Sequence, residues 1–333
     1  MIRHSNRVLA IAAALVLGVG TGFAFGPRTA QGANWDMPTP YPDSNFHTKN
    51  IVQFANDVDK ATKGAIKIKI HANGSLFKHP EIKNAVRGGQ APIGEILLSN
   101  LGNENPVFAV DSLPFLASNY DESKKLWAAA KGAVDKLLRQ QGLMVLYAVP
   151  WPPQGIYAKK ELKTVDDMRG IKFRTYNPAT SQLAKLAGAV PTQVEAPDIP
   201  TAFTTGRVDA MITSPSTGAN SKAWDYVSDY HDTQAWLPNN IIMVNLKAFQ
   251  ALDRQTQDAI GTAAKAAEER GVKASMTETE TMTKMLAEKG MKVHKPTPAL
   301  MAGLKKMGDQ MTAEWAQKAG AEGEAILKAY RGK

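Results

Sequence analysis

Arg174 stands near the end of a short strand-like run, Ile171 to Thr175, and it is the residue best suited to chemistry on an anion. A guanidinium is planar, stays protonated at any relevant pH, and gives a carboxylate two parallel charge-assisted hydrogen bonds. Burying a carboxylate in a closing cleft is strongly unfavourable unless such a partner meets it. The position matters too, because the C-terminal ends of strands in open α/β sheets face the ligand crevice. The alternative is a surface ion pair of the kind that Arg169 offers nearby.

Other candidates lie on the same class of loop. Asn45, Phe46 and His47 open a helix whose first amides are free to hold an anion. Glu95, Ser99 and Asn100 end a strand. Glu95 would repel an acid unless it accepts from ligand hydroxyls, and a strand-end salt bridge is its other reading. Trp151 and Trp236 sit in proline-rich breaks, where a flat ring serves a ligand or packs a hinge. Asn177, Ser214 and Asn240 offer donors, with ordinary turn roles as the alternative for Asn240 and its neighbour Asn239.

Catalysis finds little support. There is no cysteine, so thiol catalysis, cysteine-ligated metals and disulfides are excluded. The histidines show no metal-ligand spacing. Neither a G-x-S-x-G elbow nor a phosphate-cradling glycine loop is present. Glu95 with His47 is the one acid–base pair an exported hydrolase or lyase could use.

Stepping along the chain, strand-like and helix-like segments alternate, which predicts an α/β fold with mostly parallel sheets. Ser44 reads as an N-cap before Ile51, Phe54, Ala55 and Val58 at helical spacing, with Gly64 as the stop. Ile66 to Ile70 alternates as a strand. A helix begins at Pro80, Ile93 to Leu98 is a buried strand, Asp121 to Gln141 a helix and Leu143 to Val149 a strand. Residues 150–155 carry three prolines and a glycine and read as a crossover between lobes. Residues 238–240 read as a second break before the strand Ile241 to Val244. The helical pattern from Thr256 to Glu288, interrupted near Gly271, is long enough to span two lobes, and a last helix runs from Pro298 to Ala329. This divides the chain into lobe I (33–150 with 241–270) and lobe II (151–240 with 271–333), with a ligand cleft between them.

These residues carry a resemblance. Asp166-Asp167-Met168-Arg169-Gly170-Ile171-Lys172-Phe173-Arg174-Thr175 resembles the D-L-x-G-x-K-x-R signature of the solute-binding subunits of TRAP (tripartite ATP-independent periplasmic) transporters, DctP type. Ala202 to Ala210, AFTTGRVDA, is similar to that family's A-L-x-x-G-x-V-D-A segment, and Ser214-Pro215 falls where the family often has Asn-Pro or Ser-Pro. The similarity spans essentially the whole chain after residue 32. It implies a two-lobed periplasmic-binding-protein fold with crossover strands and a long helix spanning both lobes. It implies capture of an organic acid with Arg174 as the carboxylate anchor, delivery to a small and a large membrane subunit, no cofactor and no catalysis. Service to a sensor receptor is the alternative. The family's G-x-R after the first crossover is here Gly155-Ile156-Tyr157. Tyr157 is then either a pocket phenol, leaving one cation fewer and favouring a monocarboxylate, or a core tyrosine. With Trp151, Trp236 and Phe46 it tilts the expected ligand toward an aromatic or bulky acid.

The first 32 residues read as a secretory signal: a basic start, an apolar run from Val8 to Phe25, and small residues before a cleavage site near Gly32. Of the net +9, Arg3, Arg7 and Arg28 account for three, leaving +6 on the exported chain. No basic patch interleaved with aromatics suggests nucleic acid. The expected compartment is the periplasm.

Overall fold

The computed structural model describes residues 33–332. The signal segment expected before Gly32 lies outside the described residues. Among the described residues no helix is long and apolar enough to cross a membrane.

The described residues form three sheets. In the first, β1 (Ala33–Pro38) runs parallel to β2 (Ile66–His71), the alternating Ile/Lys strand. The helix between them, α1 (Phe46–Ala61), supplies the crossover that a parallel pair needs. Its N-cap is Asn45 rather than Ser44, and the Asn45 side chain accepts from His47 N. Ser44 instead donates to Asn220 Oδ1 at 3.2 Å.

The second sheet has β10 (Asn239–Asn245) at its centre, antiparallel to β3 (Ile93–Leu97) and β4 (Leu143–Pro150). The expected break at Asn239-Asn240 is therefore a strand end. Two buried asparagines stand in a strand there because their amides are satisfied. Asn239 donates from N and Nδ2 to Asp111, and Asn240 bonds Glu95. Helices α2 (His79–Arg87) and α3 (Tyr120–Arg139) cover this region.

From Pro150 the chain crosses to the third sheet. The crossing residues 151–154 are bonded to the returning segment: Trp151 N donates to Pro238 O (2.8 Å) and Gln154 N to Trp236 O (3.0 Å). The third sheet, in the order β11-β9-β5-β8-β6-β7, comprises β5 (Gly155–Ala158), β6 (Lys172–Thr175), β7 (Val190–Gln193), β8 (Ala210–Thr213), β9 (Asp229–His231) and β11 (Lys292–His294). It is mixed but mostly parallel, as expected: β5 alone runs against the other five strands, whereas the second sheet is wholly antiparallel. β5 arrives directly from the crossing segment without a helical crossover, and it runs antiparallel to both β8 and β9. Helices α4 (Pro178–Leu186), α5 (Ile199–Thr204) and α6 (Pro215–Asn220) connect its strands.

After the short α7 (Leu246–Gln250), α8 (Arg254–Glu288) packs on α1 and β4 with one half and on α6 and β11 with the other. It is not interrupted at Gly271. A Cβ there would lie 2.5 Å from Val149 and 2.7 Å from Asn50, so the glycine lets α8 seat closely on β4 and α1. α9 (Pro298–Arg331) kinks at Gly320, and beyond Gly308 it packs Trp315, Ile326 and Leu327 into the core that holds Leu126 and Val134 of α3.

Candidate functional site

Arg174 is set by its strand. β6 pairs in parallel with β7 and β8, Phe173 turns into the core, and Arg174 faces the other side, where it is only 3% exposed. Among the described residues its side chain makes one hydrogen bond, from Nε to the Val194 carbonyl at 2.9 Å, and no ion pair with any carboxylate. Its guanidinium lies over the ring of Tyr176, just past the strand end, 5.0 Å from the centroid. The terminal nitrogens are left for a cavity that Arg174 lines. A nearly buried cation with no carboxylate in direct contact is costly to keep, and an anion bound against it relieves that cost.

The remaining walls come from both sides of the crossing strands. Tyr176 donates to Gln154 Oε1 (3.0 Å) and accepts from Trp236 Nε1 (3.2 Å), which fixes the ring under Arg174. Opposite, Tyr41 and Trp151 meet edge to face with centroids 4.9 Å apart. Both donate to one atom, Asn240 Oδ1, at 3.1 and 2.8 Å. Asn240 Nδ2 donates in turn to Glu95 Oε1 (3.0 Å), and Thr39 donates to Glu95 Oε2 (2.5 Å). Burial pushes the Glu95 carboxyl up to about 7, against the lowering effect of those two hydrogen bonds. A third wall is His79 at the start of α2 with Glu195 just after β7, joined Nδ1 to Oε2 at 3.1 Å. Ser214, Thr213 and Thr217 close the cavity from β8 and α6.

Of the candidates read from sequence, Arg174, Trp151 and Ser214 line the cavity. Ser214 also caps α6, accepting from Thr217 N. Asn177 and Asn100 line an adjoining groove that shares His79, Tyr176 and Glu195 with the cavity. Asn177 and Ser99 find each other: Asn177 Nδ2 donates to Ser99 Oγ at 2.8 Å, tying α4 to the turn after β3. Asn45 caps α1 and borders a second groove that shares Tyr41, Ala196 and Thr217.

The others stand behind the walls. Tyr157 is fully buried against Tyr230 and donates to the Ser214 carbonyl, the core reading of that residue. Trp236 and Asn240 hold Tyr176 and Trp151 in place. Phe46 and His47 pack on Trp151 at 5.5 and 4.3 Å. His47 lies 3.6 Å from Glu95, and burial holds its pKa well below the usual imidazole value. This pair, the one nominated for catalysis, is buried and does not border the cavity.

Sequence reasoning missed Tyr41, His79, Gln154, Tyr176 and Glu195. Two signals were available. Tyr176 is two positions after Arg174, and Gln154 sits in the crossing segment already singled out.

Residues 39–318 match the family model described as bacterial extracellular solute-binding protein, family 7. DctP6, an extracytoplasmic solute receptor of Bordetella pertussis described as binding pyroglutamic acid, is 48% identical over 90% of this chain and all of its own, with a TM-score of 0.89. A marine metagenome TRAP solute-binding protein described as specific for pyroglutamate is 42% identical over 91% of this chain and all of its own, also with a TM-score of 0.89. A solute-binding protein of Albidiferax ferrireducens is 25% identical over 66% of each chain. With the two-lobed architecture and an arginine-bearing cavity at its crossing strands, the chain belongs to the family 7 bacterial extracellular solute-binding proteins, the DctP-type solute receptors of TRAP transport.

Proposed function

We propose that this receptor takes a small monocarboxylate of the pyroglutamate type, with Arg174 as the anchor of the carboxylate, and passes it unchanged to a small and a large membrane subunit. The observation that carries the reading is the Arg174 guanidinium, nearly buried and without a carboxylate partner among the described residues. Arg174 is also the single Lys or Arg among the described lining residues, which favours one carboxylate over two. The ligands named for the 48% and 42% identical relatives agree with it. The flat walls Tyr41, Trp151 and Tyr176 suit a small ring of any kind; an aromatic ligand is not required.

The lobes divide at the crossing strands in this reading, with the end of α9 packed on α3 belonging to lobe I. Closure is made by contacts such as Asn177 to Ser99 and His79 to Glu195. Export through the N-terminal segment, with cleavage near Gly32, places the receptor in the periplasm.

Thermal unfolding of residues 33–333 with and without L-pyroglutamate tests the ligand class. At about 100 times its dissociation constant a ligand adds about 2.7 kcal/mol, a rise of several degrees. A rise with amines or neutral sugars and none with monocarboxylates would sink the reading.

A further inference from the structure

Glu195 and Arg174 bring a carboxylate and a guanidinium to one cavity without pairing. Each feels the other's charge, yet they make no ion pair. Glu195 is the one acid among the described lining residues. Its partner is on the opposite lobe. The Leu97 amide donates to His79 Nε2 at 3.1 Å, which leaves the ring proton on Nδ1, aimed at Glu195 Oε2. The other oxygen, Oε1, has only a 3.3 Å contact from Gln193. A carboxylate accepts about four hydrogen bonds, so capacity remains toward the cavity. Burial pushes the Glu195 pKa up, but the His79 hydrogen bond, Gln193 and the Arg174 charge more than offset it. The carboxyl lies below its ordinary value and is ionised, an acceptor only.

An anion-capturing cavity that keeps an ionised acid has a use for it. We propose that Glu195 is the specificity-determining group: it accepts a hydrogen bond from an N–H of the bound monocarboxylate and turns away a second carboxylate. The proposal rests on the monocarboxylate reading above. The ligand class it selects carries a carboxylate for Arg174 and, in a small ring beside the carbon that bears it, a neutral N–H donor, as a lactam acid does. His79 is a positioning residue: it reaches Glu195 from lobe I, so the acceptor is oriented by the same closure that seals the cavity. Because His79, Tyr176 and Glu195 also line the adjoining groove, the pair forms the wall between the cavity and that groove. The repulsive element matters as much as the attractive one, since discrimination is a difference of affinities.

The test is calorimetric titration of the wild-type protein with L-pyroglutamate, with its ring-oxygen analogue 5-oxotetrahydrofuran-2-carboxylate, and with glutarate. The lactam should bind roughly ten- to a hundredfold tighter than the lactone, the effect of one hydrogen bond to a charged group. In Glu195→Gln the new carbonyl is claimed by His79 Nδ1–H and the amide N–H groups face the ligand. There the lactam's advantage should shrink to about threefold or less, and glutarate should gain affinity. Equal wild-type affinity for lactam and lactone would overturn the proposal while leaving the monocarboxylate reading intact. So would an equal loss for both in the variant. Failure of the wild type to bind either compound would overturn both together. The wild-type comparison stands even if the variant folds poorly.

Discussion

Arg174→Ala lowers affinity for L-pyroglutamate by roughly thirtyfold to several-thousandfold, the range for removing one partner of a buried charge pair. Calorimetry reads it directly. The size follows from the surroundings: the residue is 3% exposed, its Nε is held by Val194, and among the described residues its terminal nitrogens make no ion pair. A carboxylate left in that cavity would lose its partner and much of its solvation together. The ligand-free protein behaves differently. Arg174 carries a desolvation cost in the empty cavity, so the unliganded variant should unfold within a few degrees of the wild type, or above it. Arg174→Lys keeps the charge and loses the fork, and its affinity should fall between the two. Unchanged affinity in Arg174→Ala would place the anchor elsewhere.

Glu95→Gln changes how stability depends on pH. The Glu95 carboxyl moves from 4.5 to about 7 on folding, chiefly through burial. At 1.36 kcal/mol per pH unit this is worth about 3 kcal/mol. Below pH 4.5 the group is protonated in both states. From there to about 7 the folded protein keeps a proton that the unfolded chain has released, so this contribution to stability falls as pH rises. Glutamine does not titrate. The variant's stability relative to wild type should therefore rise by about 3 kcal/mol between pH 4.5 and pH 8 in urea denaturation. Groups away from Glu95 that titrate alike in both proteins cancel in that difference. Parallel profiles would mean that Glu95 titrates alike in the folded and unfolded chain. The residue supports the site through Asn240, which holds Tyr41 and Trp151, so weaker ligand binding above pH 7 should accompany the loss.

The long elements were legible because their patterns are local. The apolar spacing of α1, the Ile/Lys alternation of β2 and the run that became α8 depend only on neighbours in sequence. The short strands β7, β9 and β11 were not, since Val190–Gln193, Asp229–His231 and Lys292–His294 have no periodicity to read at that length. Asn239-Asn240 and Gly271 misled for one reason. An asparagine in a strand and a glycine in a helix look like breaks until their tertiary neighbours are known. Glu95 and Val149 are far from them in sequence.

The site was legible where chemistry and position coincide in one residue. Arg174, Trp151 and Ser214 combine a suitable side chain with a strand end or a crossing loop. Tyr157, Trp236 and Phe46 have equally suitable side chains and are no more buried as a group, and only tertiary placement distinguishes a wall from its support. His79 and Glu195 are 116 positions apart, and neither suggests a site until closure brings them to 3.1 Å.

The most direct measurement is a crystal structure of residues 33–333 grown with L-pyroglutamate. The expected result is a ligand in the cavity between Tyr41, Trp151 and Tyr176, its carboxylate within about 3 Å of the Arg174 terminal nitrogens. A ligand bound with its carboxylate directed away from Arg174, or seated in another groove, would contradict the central claim.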